Sequence, residues 1–166
     1  TTDGITVDTD VPTISSVVEG SASPDTTATD IDGNVYQTVQ IGDQIWMAEN
    51  LKVTKYRDGT TIPTGHSNSE WANLSTGAYA VYDDDPSNAE IYGNLYNWYT
   101  VDENREVCPE NWHIPSDEEY KQLEIFLGMC LGSQNGCVDN QGGRGTDEGG
   151  KLKETGFEHW DSPNEG

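Results

Sequence analysis

Residues 91–124 begin with four aromatic side chains within eight residues, followed by a Cys-Pro pair and the start of a helix. The aromatic residues of its first part are Tyr92, Tyr96, Trp98 and Tyr99. Because only 33% of the residues are hydrophobic, the chain has few aliphatic side chains from which to build a core. Aromatic rings bury a large area each. We therefore expect these rings, together with Trp112, to lie mainly in the core, and a sugar-stacking surface is the alternative.

One helix is predicted over residues 116–127. Ser116 and Glu119 have the spacing of a capping box, in which each residue satisfies a backbone N–H of the other. Acidic residues fill the first turn, where the helix dipole favours negative charge. Apolar residues then recur at spacings of three and four along one face, and Gly128 is a typical stop.

Short strands are predicted before this helix. Side chains alternate from Val35 to Ile41 in the manner of a strand, with Val35, Val39 and Ile41 on one face. Gly42-Asp43 then forms a two-residue turn to a returning strand at residues 44–47. A further strand is predicted at residues 77–82. These elements indicate an α+β chain with short antiparallel strands, one clear helix and many long loops.

The first 29 residues differ from the rest, because they contain no Lys, Arg or aromatic residue and are rich in Ser and Thr. This composition is typical of an extended acidic tail or linker. A β-prone patch in it could add a strand to a sheet edge of its own chain or of a neighbour. The apolar members of that patch are Val11, Ile14, Val17 and Val18. The folded domain is then expected to span residues 30–166.

Acidic residues outnumber basic ones by 30 to 8, which gives a formal net charge of −22. A polyanion is not attracted to nucleic acid or to an anionic membrane. The excess of carboxylates offers oxygen ligands for Ca²⁺, although neither cluster has the order of an EF-hand and both can be solvated loops instead. The candidate ligands are Asp83, Asp84 and Asp85 in one loop, and Asp139, Asn140, Asp147 and Glu148 in a Gly-rich insert. No apolar run is long enough for a transmembrane helix.

Three cysteines are present, and Cys130 and Cys137 are close enough in sequence for a local disulfide. Cys108 is then either a buried thiol or the partner of a residue in another chain, which is an arrangement of secreted proteins. The sequence contains no zinc-protease motif, nucleophile elbow or phosphate loop. His113 is expected to pack or hydrogen-bond locally, so no catalytic residue is predicted.

Four blocks of the sequence closely resemble the Fibrobacter succinogenes major paralogous domain, which occurs in secreted and lipid-anchored surface proteins of Bacteroidetes. The blocks are GNVYQTVQIGDQIWMAENL, YGNLYNWYTV, CPENWHIPSDEEYKQL and GGKLKETG. The resemblance implies a C-type-lectin-like fold, in the branch that includes the formylglycine-generating enzymes. Family members continue into Leu-Pro-Gly-Gly-Tyr-Arg and Trp-Trp-Ser-Ser blocks, whereas this sequence ends at Gly166, so we expect a partial domain.

The resemblance and the composition together predict a non-enzymatic module, extracellular or on the cell surface, that recognises or adheres to a glycan or a surface protein. We expect it to be attached to the outer surface through an N-terminal region that is removed. One alternative is a structural subunit of an extracellular filament or surface layer, assembled from copies of itself through the β-prone tail. Another is an oxidase related to the formylglycine-generating enzymes, whose cysteine pair lies late in the domain. Calcium is the one cofactor predicted.

Overall fold

The computed structural model describes residues 27–129, 145, 148–153, 156–157 and 159–161. Within these residues the chain is a small α+β arrangement of antiparallel strand pairs and short helices. The predicted α+β class is therefore confirmed. In the part of the chain that the structure describes, no helix is long and apolar enough to cross a membrane.

Three pairs of short strands and several helices make up the described part of the chain. The strands are β1 (Ala28–Thr29), β2 (Val35–Tyr36), β3 (Thr38–Ile41), β4 (Gln44–Met47), β5 (Tyr79–Ala80) and β6 (Leu95–Tyr96). The α-helices are α1 (Asn68–Trp71), α2 (Asn88–Tyr92), α3 (Trp98–Val101) and α4 (Asp117–Phe126). Two 3₁₀ turns lie at Tyr82–Asp84 and Gly150–Leu152. Strand β1 pairs with β2, β3 with β4, and β5 with β6, all antiparallel.

The β3–β4 hairpin confirms the predicted turn at Gly42-Asp43. Ile41 pairs with Gln44 across the turn, and Gly42 has the positive φ of 65° that a primed turn requires. A Cβ atom on Gly42 would lie 2.9 Å from the ring of Phe126, so helix α4 packs directly on the turn. The ring of Trp46 on β4 lies 5.4 Å from that of Tyr120 on α4, between centroids.

The predicted continuous strand from Val35 to Ile41 is wrong at its centre. Gln37 separates β2 from β3, and its N–H donates to Glu49 Oε1 at 2.7 Å. As a result Val35 is exposed and Tyr36 is fully buried, which reverses the predicted alternation in β2, whereas in β3 Ile41 is buried and Val39 packs beside it. The cause is a polar anchor: the Tyr36 hydroxyl donates to Asp30 Oδ2 at 2.6 Å and accepts from the N–H of Lys52 at 3.1 Å.

Helix α4 and its capping box agree with the prediction. Ser116 is the N-cap, its Oγ accepts from the Glu119 N–H at 3.3 Å, and Glu119 Oε2 accepts from the Ser116 N–H at 2.7 Å. Leu123 is buried against Ile41 and Trp46. His113 Nε2 lies 2.8 Å from Glu119 Oε1, which confirms the local role expected of His113.

The main core lies between the N-terminal strands and the segment that follows the hairpin. Its fully buried members are Tyr36, Leu51, Val53, Tyr56 and Ile62. Two of these five side chains are aromatic, as expected for a chain poor in aliphatic residues. Cys108 and Trp112 pack against the same cluster.

Candidate functional site

Residues 79–103, called here the aromatic unit, leave the core at β5 and return to it at β6. Tyr79 pairs with Tyr96 and Ala80 with Leu95, so the two strands close the base of an excursion that carries a 3₁₀ turn and helix α2. Helix α3 follows β6 directly. The segment between β5 and β6 is thus closed at its base by strand pairing.

Buried hydrogen bonds attach β6 to the segment at residues 50–53. The Asn94 N–H donates to the carbonyl of Leu51 at 2.9 Å, and the Tyr96 hydroxyl donates to the carbonyl of Val53 at 2.7 Å. Gly93 has a φ of +68°, and a Cβ atom there would lie 2.8 Å from the Leu51 carbonyl oxygen. Only glycine therefore allows the two segments to approach this closely.

The start of helix α3 is fixed by Asn97. Its Oδ1 accepts from the N–H groups of Ala78 and Thr100, both at 3.1 Å, and its Nδ2 donates to the carbonyl of Thr76 at 2.9 Å. The hydroxyl of Thr100 donates to the carbonyl of Ala78 at 3.0 Å, and Thr100 is fully buried. The helix is therefore anchored at its N-cap and through its inward face.

Helix α3 presents its first two residues to solvent. Trp98 is 67% exposed and Tyr99 is 45% exposed. The prediction that these two rings belong to the core is wrong, because Thr100 takes the inward position and Asn97 caps the helix. Trp112 is buried, as predicted, while Tyr92 and Tyr96 are half-buried.

Other large apolar side chains of the same unit are also exposed. Tyr82 is 60% exposed and Leu95 is 51% exposed, and Ile91 on α2 is exposed as well. The Tyr82 ring meets the Tyr92 ring edge to face at 5.8 Å, and Tyr92 in turn meets the His159 ring at 5.7 Å. The rings of Tyr82, Tyr92 and His159 thus form an interacting row.

The aromatic unit is strongly acidic. Its 25 residues include six Asp or Glu and no Lys, Arg or His. Within the described residues two of these carboxylates form ion pairs, Glu90 with Lys52 at 2.6 Å and Glu103 with Arg105 at 2.9 Å. The remaining four leave the unit with an excess of negative charge.

The first predicted calcium cluster lies in this unit. Asp83, Asp84 and Asp85 are all exposed, and the first two have positive φ. The Asp85 carboxylate accepts from the N–H and hydroxyl of Ser87, and these hydrogen bonds lower its pKa. No group of three or more His, Cys, Asp or Glu side chains gathers as a metal site in the portion of the chain described by the structure.

The second predicted calcium cluster lies mostly outside the described residues. Of its four members only Glu148 is described, and it is buried near Met129 and Gly145. Asp139, Asn140 and Asp147 fall outside, as do the predicted disulfide partners Cys130 and Cys137 and the tail residues Val11, Ile14, Val17 and Val18. The calcium, disulfide and assembly assignments therefore stay predictions.

A separate cleft of about 270 Å³ lies between residues 29–31 and residues 107–110. Its two charged inner side chains are already engaged. Arg57 donates to the carbonyls of Pro109 at 2.9 Å and Trp112 at 2.8 Å, and Asp30 accepts from Tyr36 and from neighbouring backbone. The charged side chains that line the cleft thus stabilise the fold, and the cleft is a weaker candidate for a binding site than the aromatic unit.

A family model decides which family the chain belongs to. The model of the Fibrobacter succinogenes major domain matches residues 39–166. The chain belongs to this family. No curated protein matches the sequence, and no solved structure matches it either.

The blocks that resemble the Fibrobacter succinogenes major domain form the frame of this molecule. In YGNLYNWYTV, Gly93 allows the backbone to pass close to Leu51, and the side chains of Asn94 and Asn97 form hydrogen bonds with backbone groups. In CPENWHIP, three backbone carbonyls accept from the single guanidinium of Arg57. These residues therefore explain the fold, and the side chains that face outward in the same part of the chain, such as Trp98 and Tyr99, are the candidates for binding.

The exposed residues Tyr82, Ile91 and Leu95 were missed by sequence reasoning. One local signal was available for their neighbours: Asn97 stands three residues before Thr100, which is the spacing of an N-cap and its N3 partner. That spacing predicts a helix start at Trp98. Leu95 could not be placed in this way, because its exposure depends on the pairing of β6 with β5.

Proposed function

We propose that this domain is a non-enzymatic recognition or adhesion module that binds a glycan or a surface protein through the exposed side chains of the aromatic unit. The observation that supports this proposal is the exposure of Trp98 on a helix that is held by hydrogen bonds at its N-cap and by a buried hydrogen bond on its inward face. Exposed aromatic residues on a rigid support are typical of interaction sites, since ordering them on binding costs little entropy.

Both ligand classes can use this arrangement. An indole or phenol ring stacks on the apolar face of a sugar, while its polar edge stays hydrated. The same rings, with Leu95 and Ile91 beside them, can also anchor a protein interface, where Trp and Tyr are enriched. Neither use requires a catalytic residue.

We further propose a C-type-lectin-like arrangement and an extracellular or surface location. The short antiparallel strand pairs, the helix packed on a hairpin and the long connections are compatible with that fold. The acidic surface supports a location in a medium rich in salt or divalent cations, because dissolved cations screen the repulsion between carboxylates. A crystal structure in which the strand order differs from that of C-type-lectin-like domains would contradict the lectin-like proposal.

The proposed binding surface is tested by single substitutions. The full chain is titrated onto immobilised neutral polysaccharides (cellulose, xylan and chitin) and onto an immobilised basic and an immobilised acidic protein, lysozyme and serum albumin. We expect at least one probe to bind and Trp98→Ala to weaken that binding by roughly tenfold or more, as for an anchor residue. Phe157→Ala removes a 65% exposed ring outside the unit and should leave binding unchanged. Equal binding by wild type and Trp98→Ala to every probe would refute the proposal.

A further inference from the structure

The aromatic unit carries two surface properties, exposed apolar side chains and an excess of carboxylates. Of the large apolar side chains that are exposed among the described residues, five lie between positions 82 and 99. They are Tyr82, Ile91, Leu95, Trp98 and Tyr99. The same 25 residues contain six carboxylates, of which Glu90 and Glu103 are ion-paired with Lys52 and Arg105, and no Lys, Arg or His.

We infer, building on the proposed function, that the partner of the aromatic unit is a protein surface that carries Lys or Arg side chains. Ring faces attract ammonium and guanidinium groups, and nearby carboxylates complete the binding of the cation. The apolar side chains Ile91 and Leu95 would pack on the aliphatic stems of the same residues. Charge complementarity of this kind also raises the rate of encounter.

The molecule holds its own cations in this way. The Arg105 guanidinium lies 3.9 Å from the centroid of the Tyr56 ring, and its Nη2 donates to Glu103 Oε2 at 2.9 Å. The Lys153 ammonium lies 4.9 Å from the centroid of the Trp160 ring. Tyr56 and Trp160 thus show, inside the chain, the ring-and-cation contact that the exposed rings offer to a partner.

The charge of the molecule disfavours the other occupants. A second copy also has a formal charge of −22, so two aromatic units would repel each other. Nucleic acids and acidic glycans are repelled for the same reason. A neutral glycan could stack on Trp98, but it would gain nothing from the surplus negative charge of the unit.

The inference is tested by fluorescence anisotropy with the full chain and a labelled peptide of alternating lysine and alanine, in 50 mM NaCl. We expect the peptide to bind and Trp98→Ala to weaken it about tenfold. Asp83→Asn/Asp84→Asn should weaken it several-fold, and asparagine tolerates the positive φ of both positions. Asp43→Asn/Glu110→Gln removes the same charge from exposed positions outside the unit and should have little effect.

Three results would overturn the inference. The first is the absence of peptide binding, and the second is equal binding by Trp98→Ala and wild type. The third is an equal loss of affinity in the two double variants, which would mean that the peptide is attracted to the acidic surface as a whole and not to the aromatic unit. A parallel titration with cellohexaose separates this inference from the proposed function. If Trp98→Ala abolishes sugar binding while the lysine peptide does not bind, the recognition function stands and the basic partner is wrong. Circular dichroism of each variant checks that it is folded.

Discussion

Gly77 contributes to stability because it has no side chain, which leaves room for Tyr56 and Thr100. It is buried where β5 begins, and a Cβ atom on it would collide with the hydroxyl of Tyr56 and lie 3.1 Å from Thr100 Oγ1. Tyr56 is fully buried and cannot retreat. We expect Gly77→Ala to lower the free energy of unfolding by about 2–3 kcal/mol through overpacking, as measured by urea denaturation.

Gly149→Ala is the matched control for this substitution. Gly149 has ordinary helical angles, with a φ of −64°, and no atom lies within 4 Å of its ideal Cβ position. Its replacement should change stability by less than about 0.5 kcal/mol in either direction. If Gly77→Ala were equally silent, the position of the Tyr56 hydroxyl would have to be different.

At the scale of elements, helix α4 is stabilised through one carboxylate with several partners. Burial raises the pKa of Glu119, but the hydrogen bonds from Ser116 and His113 outweigh it, so the pKa in the folded protein lies below the ordinary value of 4.5. A lowered folded pKa means that the unfolded chain takes up the proton first as the pH falls. The stabilisation is therefore complete above about pH 5 and is lost as the pH falls through the folded pKa.

This predicts a pH-dependent effect of Glu119→Gln. At pH 7 the variant should be less stable than wild type by about 1 kcal/mol, since a charged cap partner is lost at the helix N-terminus. The difference should shrink as the pH falls below 4.5, measured by denaturation at a series of pH values. Glu118→Gln is the comparison, because Glu118 is exposed and pairs only on the surface with Lys121. A difference that grows on acidification would contradict the role assigned to Glu119.

The elements that sequence reasoning predicted correctly are those set by near neighbours. Helix α4 follows from Ser116 and Glu119, three residues apart, and the hairpin follows from Gly42-Asp43. The errors concern side chains whose position depends on distant partners. The Asn94 amide donates to the carbonyl of Val53, 41 residues earlier, and the Thr100 hydroxyl donates to the carbonyl of Ala78, 22 residues earlier. These distant partners hold β6 and α3 in their orientation. No local pattern contains that information, so the exposed aromatic surface could not be predicted.

At the scale of the whole molecule, the basic residues are too few to balance the acidic ones. Five of the eight form ion pairs within the described residues: Lys52, Lys55, Arg57, Arg105 and Lys121. The surplus carboxylates repel one another in the compact state, and salt screens that repulsion. Raising NaCl from 20 to 300 mM should stabilise the fold by about 1 kcal/mol, which is a rise in Tm of about 2–4 °C for a chain of this size. A fall in Tm would mean that the surface ion pairs outweigh the repulsion.

If the predicted acidic clusters bind calcium, CaCl₂ should raise the Tm by more than screening alone does. The comparison is the Tm in CaCl₂, MgCl₂ and NaCl at equal ionic strength, because site binding adds a stabilisation that grows with the logarithm of ligand concentration. Ca²⁺ accepts irregular sets of carboxylate and carbonyl oxygens more readily than Mg²⁺, so the increment should be specific to calcium. Asp139→Asn/Asp147→Asn should remove the calcium increment while keeping the NaCl increment. Asp83→Asn/Asp84→Asn tests the other cluster in the same way, and equal Tm values in all three salts would leave screening as the only role of the acidic surface.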